Sequence, residues 1–207
     1  FADPSGAFTT AAGMVACVEQ ALKDKFDTEF KGKCVIVMGG TGPVGSTAAV
    51  LAAKAGADVK IMGRKKDKSQ RVAALCNSKY GEDLTGIQGE ANDMIDDLTQ
   101  IADIIFAAAA PGVQVISEKY IETSSSLKVA ADVNAVPPSG IAGLDLIGNC
   151  KPIEGSKSGA VGIGALAIGN VKYQTQHRLL QEMRNSDKPI YLHFERAFEI
   201  AREIVQG

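Results

Sequence analysis

The residues most able to do chemistry are six consecutive positions, Gly40-Thr41-Gly42-Pro43-Val44-Gly45. They follow an apolar run at 34–38 and precede an alanine-rich stretch at 46–55. Between a strand and a helix, the three glycines have separate tasks. Gly40 allows a tight turn, Gly42 lets the backbone approach a pyrophosphate, and Gly45 lets the helix pack on the strand. The helix start then offers unpaired N–H groups and the positive end of its dipole to phosphate. No Gly-Lys-Ser/Thr ending follows, which excludes a P-loop. The pattern calls for a dinucleotide.

The end of the second apolar run decides which one. An NAD site places Asp or Glu there to accept hydrogen bonds from the adenosine ribose. This chain reads Met62-Gly63-Arg64-Lys65-Lys66, with no acid before Asp67. Arg64 can fork onto a ribose 2′-phosphate, and Lys65 or Lys66 can add charge. The expected cofactor is therefore NADP, with NAD as the second possibility. Further along, the small residues at 107–112, Ala108 among them, would let the cofactor's ribose or nicotinamide approach the fourth strand. Asn134, held by Pro137-Pro138, suits nicotinamide or pterin positioning.

These groups need a scaffold. Asp3-Pro4-Ser5-Gly6 is a turn and cap signal, and Ala11, Ala12, Met14, Val15, Val18, Ala21 and Leu22 recur at helical spacing. Apolar runs at 34–38, 58–62, 84–88, 103–108 and 127–132 predict five strands. Helices are expected at 46–55, 67–80 with Asp67 as cap, 91–100, 163–184 and 189–205, with a Gly- and Pro-rich loop at 133–147. This alternation predicts an α/β fold, a Rossmann-type doubly wound parallel sheet with helices on both faces. Three parts are expected: a linking helix at 1–30, the dinucleotide-binding domain at 31–184, and a helix at 185–207 packing back toward an N-terminal domain. Phe1-Ala2-Asp3-Pro4 reads as the interior of a longer chain, so an N-terminal catalytic segment is expected to be missing.

Composition narrows the function classes. At 45% hydrophobic and 22% charged, the 207 residues are those of a soluble globular protein. A net charge of −2 supplies no field to recruit nucleic acid or an anionic membrane. The apolar run at 101–110 contains Asp103 and stops at Pro111-Gly112, too short to span a bilayer. Cys17, Cys34, Cys76 and Cys150 are scattered and only two histidines are present. No metal site is expected, and reduced thiols point to the cytoplasm.

The sequence resembles the NAD(P)-dependent methylene-tetrahydromethanopterin dehydrogenases of methylotrophic bacteria, distant relatives of the methylene-tetrahydrofolate dehydrogenases. The resemblance runs through Thr9-Thr10-Ala11-Ala12, the glycine loop, Gly63-Arg64-Lys65 with Asp67-Lys68, Ala131-Asp132-Val133-Asn134-Ala135 with Pro137-Pro138, and residues 162–172 including Gly164. It implies a tetrahydropterin substrate in one-carbon metabolism and about a hundred further residues before the Thr-Thr helix. It also suggests a homo-oligomer, a trimer among the options. The family's cleft uses the second threonine of the pair, here Thr10, a lysine matching Lys172, and a histidine one helical turn later. Here Gln176 is four positions after Lys172 and His177 five. Regular helical geometry favours Gln176, whereas residue chemistry favours His177 with a local bulge; the expectation is His177.

The implied reaction removes a hydride from a carbon bridging two nitrogens and leaves an amidinium-like cation. No proton leaves that carbon, so no general base is strictly required. Lys172 then reads as a positioning group, hydrogen-bonded to the pterin or paired with a carboxylate, for which Asp132 is the candidate. Two other readings stay open. One is an NADP-linked dehydrogenase of the shikimate or folate branch, the other a non-catalytic NADP-binding module.

Overall fold

The computed structural model describes residues 1–81 and 86–207. Helix α1 (Ala7–Phe26) precedes β1 (Cys34–Met38), α2 (Pro43–Lys54), β2 (Asp58–Gly63), α3 (Lys66–Tyr80) and β3 (Ile87–Ala91). A short 3₁₀ turn leads into α4 (Ile95–Ile101), then β4 (Ile104–Ala107), α5 (Glu118–Thr123) and β5 (Val129–Asp132). The chain closes with β6 (Asn149–Pro152), β7 (Val161–Ile163), α6 (Ala165–Arg184) and α7 (Phe194–Gln206). The strands form one seven-stranded sheet in the order β3-β2-β1-β4-β5-β7-β6. β6 runs antiparallel to β7, and the other pairings are parallel.

The apolar runs are continuous because both faces of the sheet are covered. Val35 and Val37 join a core with α1, α2, α6 and α7, while Ile36 and Met38 join a second core with Leu98 and Ile121. The strand order reverses between β1 and β4, where a crevice opens at the carboxyl ends. The doubly wound parallel sheet is thus the observed architecture, with two strands more than the sequence predicts. β6 is polar, exposed and contains Pro152, and β7 is three residues long with Gly162 at its centre. Neither carries an apolar alternation that separates it from a loop. The predicted start of the third strand, residues 84 and 85, lies outside the described residues. β3 itself extends three positions past the predicted end at 88.

Helix α7 buries Phe194, Ala197, Phe198, Ile200 and Ala201 against its neighbours. Arg202 clamps Glu19 of α1 with two bonds of 2.6 Å and lies 4.0 Å from the centre of the Phe198 ring. The cap expected at Asp67 is displaced. Lys65 is the N-cap of α3, without a side-chain bond, and Asp67 sits in the first turn, where its charge suits the helix dipole.

Candidate active site

Three of the glycine-loop positions show their tasks in what an added Cβ would meet. At Gly45 it would fall 2.6 Å from the Gly39 carbonyl oxygen and 2.8 Å from Gly40 Cα, so the helix–strand contact admits no side chain. At Gly40 it would fall 2.5 Å from Ile61 Cβ on β2. At Gly42 nothing of the protein comes nearer than 3.4 Å, so that surface is exposed to a ligand. Gly42 is the N-cap of α2 with no side-chain cap, and Pro43 opens the helix with its fixed φ. Among the described residues, the Thr41, Val44 and Gly45 N–H groups find no acceptor in the chain. Unpaired amides, a helix dipole and an open glycine face are what a pyrophosphate requires. The loop fits a dinucleotide.

The neighbouring groups follow from the same strands. Ala108, half-buried, donates its N–H to the Met38 carbonyl at 2.9 Å and lies against Gly39 across the β1–β4 switch point. Gly63 ends β2 where a Cβ would strike Ser69 Oγ at 2.6 Å and Thr41 Cγ2 at 3.0 Å. That contact seats the cationic turn next to the glycine loop. Arg64, Lys65 and Lys68 are exposed and have no hydrogen-bonding or ionic side-chain partner among the described residues. Lys66 is engaged instead, 3.1 Å from Glu90 at the end of β3. The acid missing after β2 in the sequence is therefore supplied in space by β3, and it neutralises one of the three cations.

Two expected assignments meet a different environment. Asp132 is buried and does not pair with Lys172. Its carboxylate accepts from the backbone N–H groups of Asn134 (2.8 Å), Gly140 (2.6 Å) and Ile141 (3.2 Å). Burial pushes its carboxyl above the usual range, against the pull of those three bonds. Asn134 is equally committed: its amide donates to the Pro138 carbonyl at 3.0 Å and accepts from Gly112 and Val136. Together they tie the loops after β4 and β5 into one rim. Asp132→Ala leaves three donors without an acceptor and is expected to cost about 3 kcal/mol in urea unfolding. Gly164 likewise serves packing, since a Cβ there would fall 2.1 Å from the Asp145 carbonyl, and its N–H goes to Gly148.

A second cleft lies where α1 meets α6. It has a volume of about 740 Å³ and is lined by residues 2–6, Gly169, Lys172, Tyr173, Gln176 and Leu180. The helices approach closely because a Cβ on Gly13 would already stand 3.3 Å from Lys172 N. The Lys172 ammonium lies over Gly6, 3.3 Å from where its Cβ would be, and has no carboxylate partner among the described residues. Thr10 donates its hydroxyl to the Gly6 carbonyl at 2.5 Å, fixing the turn beneath that lysine. Phe8, two residues earlier, shares an apolar niche with Ser46 and Thr47 of α2, the helix that the glycine loop opens.

The two candidates after Lys172 are placed differently. α6 is an unbroken α-helix from Ala165 to Arg184, with no bulge to rotate position 177. His177 is exposed and contacts Gln181 one turn on, at 2.9 Å. Gln176 occupies the cleft beside Lys172, as four residues per near-turn dictate. Sequence reasoning also passed over Asp3 and Thr9 as more than cap and helix residues. Asp3 has a φ of +34° and is 2% exposed, and its carboxylate receives both the Thr9 N–H and the Thr9 hydroxyl at 2.8 Å. The burial of a charge so near the chain's beginning leaves no trace in periodicity.

A phosphate-binding glycine loop at the switch point of a parallel sheet, beside a cationic turn and a second cleft, defines a dinucleotide-dependent oxidoreductase of the Rossmann class. No family model matches the chain. Over 205 residues it is 41% identical to the NAD(P)-dependent methylenetetrahydromethanopterin dehydrogenase of Methylorubrum extorquens, covering 99% of this chain and 68% of that protein. It is 32% identical to the bifunctional protein MdtA of the same organism, covering 98% of this chain and 67% of that one. The chain belongs to the NAD(P)-dependent methylenetetrahydromethanopterin dehydrogenase family. Solved structures agree on the fold. Quinate dehydrogenase from Corynebacterium glutamicum in complex with NAD matches with a TM-score of 0.59 at 16% identity, over 93% of this chain and 61% of that one. The dipicolinate synthase A chain from Bacillus subtilis matches at 0.60 and 18% identity, over 96% and 56%. The chain thus spans little more than half the length of these structures.

Proposed function

We propose that this protein is an NADP-dependent dehydrogenase that oxidises a methylene-tetrahydropterin to its methenyl form. The observation that carries the reading is a glycine loop open to a pyrophosphate in the same chain as a cleft holding Lys172 and Gln176 over the turn that Thr10 fixes, in a chain of this family. When bound, the nicotinamide would supply the hydride acceptor. Thr41, Val44 and Gly45 would hold the pyrophosphate through their N–H groups, and Arg64 and Lys65 the 2′-phosphate. Ala108, small and half-buried at the switch point, would face the nicotinamide half.

The cleft residues position rather than exchange protons. Positive charge develops on the substrate, so an ammonium beside the reacting carbon would oppose the reaction. Lys172 is drawn over the Gly6 turn, where it can donate to a pterin carbonyl, and Thr10 fixes that turn. Holding donor and acceptor carbons in register supplies most of the rate. The four cysteines, all free, suit a reducing cytoplasm, and no helix of the described residues is long and apolar enough to cross a membrane. Homo-oligomerisation belongs to the same proposal, with sedimentation as its check.

The direct test mixes the protein with NADP and methylene-tetrahydromethanopterin, with methylene-tetrahydrofolate in a second arm, and follows NADPH absorbance. Cofactor binding without turnover of either carrier would favour the binding-only reading. Cofactor choice has its own test. Arg64→Ala is expected to weaken NADP by about 1–3 kcal/mol more than NAD, the range of a charge-assisted bond. Equal losses in parallel titrations would remove Arg64 from the 2′-phosphate.

A further inference from the structure

The Thr9 hydroxyl has one proton and faces competing acceptors: Asp3 Oδ2 at 2.8 Å, Gln176 Oε1 at 3.2 Å and the Gly6 carbonyl at 3.4 Å. The nearest of these is a buried carboxylate, and a charged acceptor makes the stronger bond. The proton therefore goes to Asp3. Gln176 cannot turn its amide to compensate, because its Nε2 donates to the Ala2 carbonyl at 3.3 Å and only nitrogen can do so. Its Oε1 is left facing an oxygen whose proton points elsewhere. Lys172, one turn earlier, makes no hydrogen bond to it among the described residues. A half-buried acceptor in want of a donor thus lies in the cleft, its amide held by the Ala2 carbonyl and its oxygen set against the Thr9 hydroxyl.

We propose that Asp3 is a positioning residue for the substrate: by claiming the Thr9 proton it keeps the Gln176 carbonyl open to accept an N–H of the pterin ring. The Lys172 donor and the Gln176 acceptor, one helical turn apart on the same face, then match an edge carrying a carbonyl beside an N–H. This inference rests on the tetrahydropterin reading above. It differs from a capping role, although Asp3 also caps α1 through the Thr9 N–H. Asparagine caps a helix about as well as aspartate, so Asp3→Asn retains that bond. It replaces the charged acceptor by a neutral amide oxygen of the same strength as Gln176 Oε1, so the Thr9 hydroxyl is no longer held at residue 3 and is shared with Gln176, where it competes with the substrate.

The experiment compares Asp3→Asn, Thr9→Val and the double variant in the full chain. Asp3→Asn is expected to raise KM for methylene-tetrahydromethanopterin about threefold, part of one hydrogen bond's worth, with the NADP Kd within twofold. In the Thr9→Val background Asp3→Asn is expected to change KM by less than twofold, because no hydroxyl remains to turn. A purely capping role would give the same cost in both backgrounds, and that result overturns the proposal. The ¹⁵N-labelled Gln176 side-chain amide gives an arm independent of turnover. Asp3→Asn should shift its resonances in the ligand-free protein with Thr9 present and leave them unmoved in the Thr9→Val background. Unmoved resonances in both backgrounds also overturn it. If the parent oxidises neither carrier, the substrate reading fails, and the amide resonances still decide whether Asp3 governs Gln176.

Discussion

Gly42→Ala is expected to keep the parent's melting temperature while weakening NADP and NAD together, whereas Gly45→Ala is expected to damage the fold itself. The two glycines sit three positions apart in one loop, and the difference lies in what surrounds their missing side chains. At Gly45 an added methyl meets backbone atoms at 2.6 and 2.8 Å, which cannot swing aside as a side-chain end would. Overpacking of that kind costs about 3 kcal/mol in a rigid setting, and denaturant unfolding should show it. At Gly42 the methyl meets nothing of the protein within 3.4 Å, and φ is −87°, so neither strain nor collision follows. The methyl instead occupies the surface assigned to the pyrophosphate. A loss on the order of 100-fold in Kd for both cofactors is expected, about 2.7 kcal/mol. Unchanged affinity in Gly42→Ala would place the dinucleotide elsewhere.

Lys172→Met and Gln176→Ala are expected to depress pterin oxidation sharply, and His177→Ala to leave it within twofold. Methionine keeps the length and packing of the lysine stem and removes the donor. If Lys172 sets the carbonyl edge of the pterin, misplacement by even an ångström costs about 100-fold in kcat/KM. Gln176→Ala removes one acceptor and should cost about tenfold, mainly in KM. Neither side chain touches the glycine loop, so the NADP Kd should stay within a few-fold in both. Steady-state kinetics with separate cofactor titration reads all three variants. Normal turnover in Lys172→Met together with a crippled His177→Ala would return the cleft to the other face of α6.

The comparison between Gln176 and His177 shows where the sequence stops. Both residues are visible in it, and the helix is visible too. What it does not contain is the phase of that helix at position 176, because the glycines at 162, 164 and 169 make an irregularity plausible on local grounds. In the tertiary structure α6 is a regular helix packed closely on α1 at Gly13, and that phase turns position 177 to solvent. The same holds for Asp132. Its position after the fifth strand is legible, yet its partners are backbone N–H groups two, eight and nine residues on, from a loop whose course no pattern encodes.

By itself the sequence determined the parallel sheet, the glycine loop and the cationic turn. These rest on short-range rules: continuous apolar runs for strands buried on both faces, glycine where backbone must approach backbone, and the absence of an acid after β2. Tertiary structure alone decided which charges are available. It carried Glu90 from the edge strand to Lys66, sank Asp3 beneath Thr9, and left Arg64 and Lys172 without carboxylate partners among the described residues. The physical reason is that hydrophobic periodicity is averaged over many residues and survives in one dimension. A hydrogen bond depends on two groups meeting within about 3 Å, and here Arg202 and Glu19 meet from 183 positions apart in the chain.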